Sequence, residues 1–175
     1  MMRIAENILT GGDIGNNEPA KYDTEIFEKQ YDPTVGQFYR VKGYYAYTSG
    51  SGYSTPISAG TTISVGILAK GDQPHTVETY LQNGTISKPV LERYSIEITT
   101  DWKWIFKSGV VSNELQDGDI MRLYVYPRDF ELHWAKAAVY IGAPSDIWTP
   151  AHADLTPEQI TTLPPHGEYK EIKSF

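Results

Sequence analysis

Residues 92–107, ERYSIEITTDWKWIFK, carry the clearest period-two pattern of the chain and two of its four tryptophans. Tyr94, Ile96 and Ile98 share one parity and Arg93, Ser95, Glu97 and Thr99 the other, which describes a strand with one buried and one wet face. Thr99-Thr100-Asp101 can turn the backbone through side-chain hydrogen bonds. The alternation then resumes, with Trp102, Trp104 and Phe106 against Lys103, Ile105 and Lys107. A second strand, or a bent continuation of the first, is expected. Three large rings on one parity offer more apolar area than any other stretch, at about 25 cal/mol per Å² buried, and are expected to anchor a β core.

Strand patterns continue on both sides. Upstream, residues 37–48 (QFYRVKGYYAYT) alternate until a parity break at Gly43, as a bulged strand would. In residues 61–70 Ile63, Val65, Ile67 and Ala69 share a face, and residues 76–82 form a further strand. Asn83-Gly84 suits a tight hairpin whose partner would be residues 85–89. Downstream, Asp117-Gly118-Asp119 turns the chain into residues 120–127. There Met121, Leu123 and Val125 oppose Arg122, Tyr124 and Tyr126, and residues 130–141 are the last strand region. Residues 3–17 read as a short edge strand and a loop, and residues 24–31 as either a helical turn or a loop. Short, evenly spaced strands without a helical period describe an all-β fold, a two-layer antiparallel β-sandwich of jelly-roll type spanning residues 1–151. Residues 152–175 form a tail. In it Thr156, Pro157 and Gln159 can start a short helix, which Pro164-Pro165 must stop.

Composition narrows the function. A chain of 175 residues with thirteen tyrosines, fifteen glycines and eleven prolines is turn-rich, and its strand rings carry polar tips. A net charge of -7 argues against nucleic acid as a partner, since that affinity rests on clustered Lys and Arg. No run approaches the ~18 apolar residues of a membrane helix. Met1-Met2-Arg3-Ile4 leads into Glu6-Asn7 rather than into the apolar core of a signal peptide, so synthesis in a cytoplasm and no membrane partner are expected. The absence of cysteine removes disulfides, thiolate metal sites and thiol nucleophiles together.

Asn7-Ile8-Leu9-Thr10-Gly11, Ile98-Thr99-Thr100-Asp101-Trp102-Lys103 and Ile147-Trp148-Thr149-Pro150-Ala151, in that order and spacing, resemble the carbohydrate-binding modules of bacteriophage tail and baseplate proteins, especially those of Gram-positive hosts. Where many such modules carry a Leu-Glu pair before the Trp-Thr-Pro segment, this chain has Val139-Tyr140. The resemblance implies a jelly-roll (galactose-binding-like) sandwich that helps a tail tip grip saccharides of the host cell wall. It further implies a place in the virion after assembly in the bacterial cytoplasm, other tail or baseplate proteins as partners, and a homo-oligomer, a trimer among the options. It assigns packing roles to Trp102 and Trp148.

Sugar recognition needs flat rings for the C–H faces of the pyranose and hydrogen-bonding groups for its hydroxyls. One candidate set is the outward parity Arg122, Tyr124 and Tyr126, joined by His133 if its strand lies alongside; the same pattern also suits a solvated face whose tyrosines cover the core. A second set is Tyr44, Tyr45, Tyr47 and Tyr53 around the Gly/Ser loop, which could equally be half-buried strand tyrosines. Trp134 suits either core or a stacking platform, while Trp104, sharing parity with Trp102, is expected to be buried. Asp13 with Asn16 and Asn17, or Asp117 with Asp119, could offer oxygens to a structural calcium, but turn capping is the favoured role, and no cofactor or metal is expected. No zinc-helix spacing, nucleophile elbow or phosphate loop occurs. Nothing supports a glycosidase pair of carboxylates. The expected function is non-catalytic saccharide binding, with a purely structural tail adaptor as the alternative.

Overall fold

The computed structural model describes residues 2–50, 55–151, 154 and 167–169. The tail helix expected at Thr156 and the loop residue Tyr53 lie outside them. The strands are β1 (Met2–Ile4), β2 (Ala20–Asp32), β3 (Gly36–Tyr47), β4 (Thr62–Gly71), β5 (His75–Asn83), β6 (Lys88–Ile98), β7 (Lys103–Val110), β8 (Met121–Tyr126), β9 (Arg128–Ile141) and β10 (Gly167–Tyr169). All pairings are antiparallel: β1 with β10, and β2 to β9 in one continuous hydrogen-bonded path.

That path folds over on itself. β3 pairs with β2 along one edge and, along the other, with β8 through Ala46 and Tyr47 and with β9 from Tyr39 to Gly43. β8 then continues through β5 to β6, whereas β9 continues through β4 to β7. Pro127 separates β8 from β9. The result is a two-layer sandwich of jelly-roll type. One layer is β2-β3-β8-β5-β6; the other is β9-β4-β7, extended by residues 8–14, whose backbone bonds to β9 at Ala135, Ala137 and Val139. Alternate residues of both layers meet inside. Val77, Leu81, Ile96, Leu123 and Val125 pack in one cluster with Ile63, Val65, Ile67, Leu132, Trp134 and Val139.

Three local expectations change. Residues 24–31 belong to strand β2 rather than to a helical turn, because a long β3 offers its whole edge for pairing. The Asn83-Gly84 turn does lead into an antiparallel partner, but that partner is β6, which begins at Lys88 and contains Tyr94, Ile96 and Ile98. The facing of residues 102–107 is also reversed. β7 is an edge strand paired with β4, and Ile105 opposite Ile67 takes the inward side. Phe106, 37% exposed, therefore lies outward against Gly66, where a Cβ would come within 2.3 Å of its ring, and stacks on Trp104 at 5.5 Å.

Asn7 closes the fold. Its buried amide donates to the Thr149 carbonyl at 3.1 Å and accepts from the backbone N–H of Leu9 and Val139 at 3.1 and 3.0 Å. Trp148 donates Nε1 to the Ala137 carbonyl at 2.9 Å, under the Lys136 ammonium. The first and last of the three resembling segments thus meet at β9. The middle one lies elsewhere, with the Trp102 ring against Phe38.

A charged ladder crosses β2, β3 and β9 at the end of β3 nearest Gly36. Arg40 bridges Glu28, at 2.9 Å, and Glu131, which also meets His133 Nε2 at 3.3 Å. Burial of His133, stacked on Phe38, holds its pKa below the usual histidine range against the opposing pull of Glu131.

Two outcomes follow. Asn7→Ala leaves two buried N–H groups and one carbonyl without partners, which should cost about 3 kcal/mol in urea unfolding; a loss below about 1 kcal/mol would contradict the tie. Because folding depresses the His133 pKa, the native state binds fewer protons than the unfolded chain. Stability should therefore fall as pH drops below about 6.5. Melting curves from pH 7.5 to 5 should show a shallower decline for His133→Gln than for the parent, and parallel curves would contradict the assignment.

Candidate functional site

The outer face of the β2-β3-β8-β5-β6 layer is built by strand register. Tyr47 pairs with Tyr124, which pairs with Tyr80, giving a first row across β3, β8 and β5. A second row, one pleat on, starts at Tyr22 opposite Tyr45 and continues with Tyr126 opposite Glu78 and Glu78 opposite Ser95. The parity break at Gly43 adds Tyr44 to the same face, 5.9 Å from Tyr22 and 6.1 Å from Tyr126. The rings support one another: Tyr47 stacks on Tyr124 at 4.6 Å, Tyr22 on Tyr45 at 5.4 Å, and Tyr45 meets Tyr126 edge-on at 5.7 Å.

Three guanidinium groups lie over this field. Arg122 covers Tyr47 at 5.2 Å, Arg93 covers Tyr126 at 4.8 Å, and Arg128 reaches Tyr44 and Tyr126 at 5.2 and 5.6 Å. Such contacts are favourable through the ring quadrupole. Arg93 is also ion-paired to Glu78 at 2.9 Å, whereas Arg122 and Arg128 have no carboxylate partner within ion-pair distance among the described residues. Burial raises the phenol pKa of Tyr80, Tyr124 and Tyr126. Their hydroxyls remain neutral donors and acceptors at physiological pH.

The third row is a trough. Thr24, Gly43 and Arg128 are paired in line across β2, β3 and β9, two residues on from Tyr22, Tyr45 and Tyr126. A cavity of about 430 Å³ opens there, lined by Asp23, Thr24, Glu25, Gly43, Tyr44, Arg128 and Asp129. Beyond Arg128 a second, of about 270 Å³, is lined by Thr76, Glu78, Ser95, Tyr126, Pro127, Arg128, Asp129 and Phe130. The close approach of β2 requires a glycine at Gly43, since at its φ of +134° a Cβ would come within 2.5 Å of the Asp23 carbonyl oxygen. Running across the strands, trough and rows together present acceptors, donors and ring faces along a line, as an extended polyhydroxylated chain requires.

Of the residues singled out from sequence, Tyr44, Tyr45, Tyr47, Arg122, Tyr124 and Tyr126 come together on this face. His133 does not join them. Its strand neighbour is Arg40, beyond the trough. Trp134 is a correction to the platform reading: it is 0% exposed, with Nε1 bonded to the Lys136 carbonyl at 3.1 Å, so its ring is core and cannot meet a ligand. Tyr22, Tyr80, Arg93, Arg128 and Asp129 were missed. Tyr80 and Arg93 were findable as wet-parity residues of strands already recognised; Tyr22 was not, because its strand was unassigned. Asp13 and Asp119 are engaged in local bonds to Asn16 and to Asn83 and Gln116. No group of three or more metal-binding side chains is found among the described residues.

No protein-family model and no curated protein matches the chain. Solved structures do. The second N-terminal cellulose-binding domain of Cellulomonas fimi β-1,4-glucanase C superposes with a TM-score of 0.57 at 13% identity, covering 80% of this chain and 97% of that one. The CBM22-1–GH10 modules of Clostridium thermocellum xylanase 10B, complexed with xylohexaose, give 0.54 at 8% identity over 83% of this chain and 30% of that one. The module titled BiXyn10A CBM1 gives 0.51 at 10% identity over 80% of this chain and 99% of that one. At these identities the likeness is one of fold: this jelly-roll sandwich is shared with carbohydrate-binding modules.

Proposed function

We propose that the protein binds saccharide chains without cleaving them. The observation that carries this reading is the pair of tyrosine rows beside a trough lined from six strands, with Arg93, Arg122 and Arg128 laid over the rings. Rings stack on the C–H faces of pyranoses, and phenols, carboxylates and guanidinium groups exchange hydrogen bonds with the hydroxyls. The sandwich shared with a cellulose-binding domain and with CBM22-1–GH10 modules complexed with xylohexaose supports it. Glu25 and Glu78, two of the four trough carboxylates, are each held in an ion pair, with Lys42 and Arg93. This suits anchoring hydroxyls better than proton transfer.

The finer reading rests on the sequence resemblance to phage tail and baseplate modules. The chain would serve a virion as an adhesion protein for host cell-wall polysaccharide, beside other tail proteins and in several copies. Many weak sites then act together, because effective concentration multiplies the grip.

Titration calorimetry with cello- and xylo-oligosaccharides, alongside pull-downs on purified Gram-positive cell walls, tests both levels. Tyr124→Ala, which removes the first-row ring that also touches Tyr45 and Tyr126 of the second, should weaken binding at least about tenfold, roughly 1.4 kcal/mol, in protein that still melts cooperatively. Absence of binding to every glycan and wall would favour the structural adaptor instead.

A further inference from the structure

Arg128 is held against its own backbone preference in the wall that the two cavities share. Its φ is +60°, in the left-handed region that non-glycine residues rarely adopt, and Asp23, facing it across the larger cavity, has a φ of +51°. Such conformations persist where the surroundings impose them, and they cluster at binding sites. Here the consequence is visible. The backbone turn after Pro127 sends the guanidinium back over Tyr44 and Tyr126, and Arg128 with Asp129 forms the wall common to the two cavities. The larger cavity falls within the ~300–1,000 Å³ range of small-ligand sites and the smaller lies just below it.

Resting on the saccharide-binding reading above, we infer that Arg128 is the specificity-determining residue of this site: it divides the trough into two ring-sized subsites and donates to the oxygens that join and flank two consecutive sugars. The shortest productive ligand is then a disaccharide unit spanning the guanidinium. Arginine suits this position because its planar fork offers five N–H donors in fixed directions, whereas lysine supplies only a point charge. On either side, Asp23 in one cavity and Glu78 in the other accept from sugar hydroxyls, with Asp129 beside Arg128 in the shared wall.

The test compares the parent with Arg128→Gly, Arg128→Lys and Lys107→Ala against xylo- and cello-oligosaccharides of one to six units, using calorimetry and thermal melting. Glycine adopts a positive φ freely, so Arg128→Gly should melt within a few degrees of the parent. The parent should gain affinity steeply between one and two or three units. Arg128→Gly should lose that step and bind the hexamer at least tenfold more weakly, with Arg128→Lys intermediate. Lys107→Ala, which removes an exposed cation on β7 of the other layer, should keep the step. An Arg128→Gly protein with the parent's length dependence, or an equal loss in Lys107→Ala, overturns the assignment of Arg128 while leaving saccharide binding intact. A parent that binds none of the oligosaccharides overturns the saccharide reading itself and this inference with it.

Discussion

The structure depends on one edge of β3 being shared between two successive strands. β8 and β9 both pair with it, yet they lead into different layers, so the path must fork where one gives way to the other. Pro127 stands at the fork. It has no N–H to place in a ladder, and its ring fixes φ, so a continuous strand is interrupted there at little further cost. Arg128 follows in a left-handed conformation and opposes Gly43, beside which the pairing of β3 with both β2 and β9 shifts register. The irregularities that let one sheet become two are thus the same ones that line the trough.

This coincidence explains why the trough lies where it does. A regular antiparallel sheet has no room between neighbouring strands, and its surface is a pleated plane. Here a glycine without a side chain pairs with a residue in a left-handed conformation, and the cavity opens over them. The tyrosine rows on the adjoining register are regular by comparison. Large rings on a solvated face would be a liability for association. Their phenol tips, the guanidinium groups laid over them and their mutual stacking at 4.6 to 6.3 Å keep the surface both wet and rigid.

Much of the strand pattern was legible from alternation alone. Met121, Leu123 and Val125 against Arg122, Tyr124 and Tyr126 could be divided into inner and outer faces without coordinates, as could Ile63, Val65, Ile67 and Ala69. Alternation gives two faces but does not name the one that turns inward. In residues 103–107 the larger rings went outward because β7 lies at an edge and β4 presents Ile67 to Ile105. Trp134 was ambiguous for the same reason, and its burial follows from the packing of β9 between β4 and residues 8–14.

What this sequence determined by itself was the class of fold and a supply of outward tyrosines, because both follow from a period of two along the chain and from turn chemistry a few residues long. The tertiary structure decided which tyrosines share a face. Tyr22 meets Tyr45, and Tyr124 meets Tyr80, through pairings between strands distant in sequence. It also decided the trough, since Thr24, Gly43 and Arg128 come into line only once β2, β3 and β9 are in register. Register is a property of two strands together, and neither strand carries it alone.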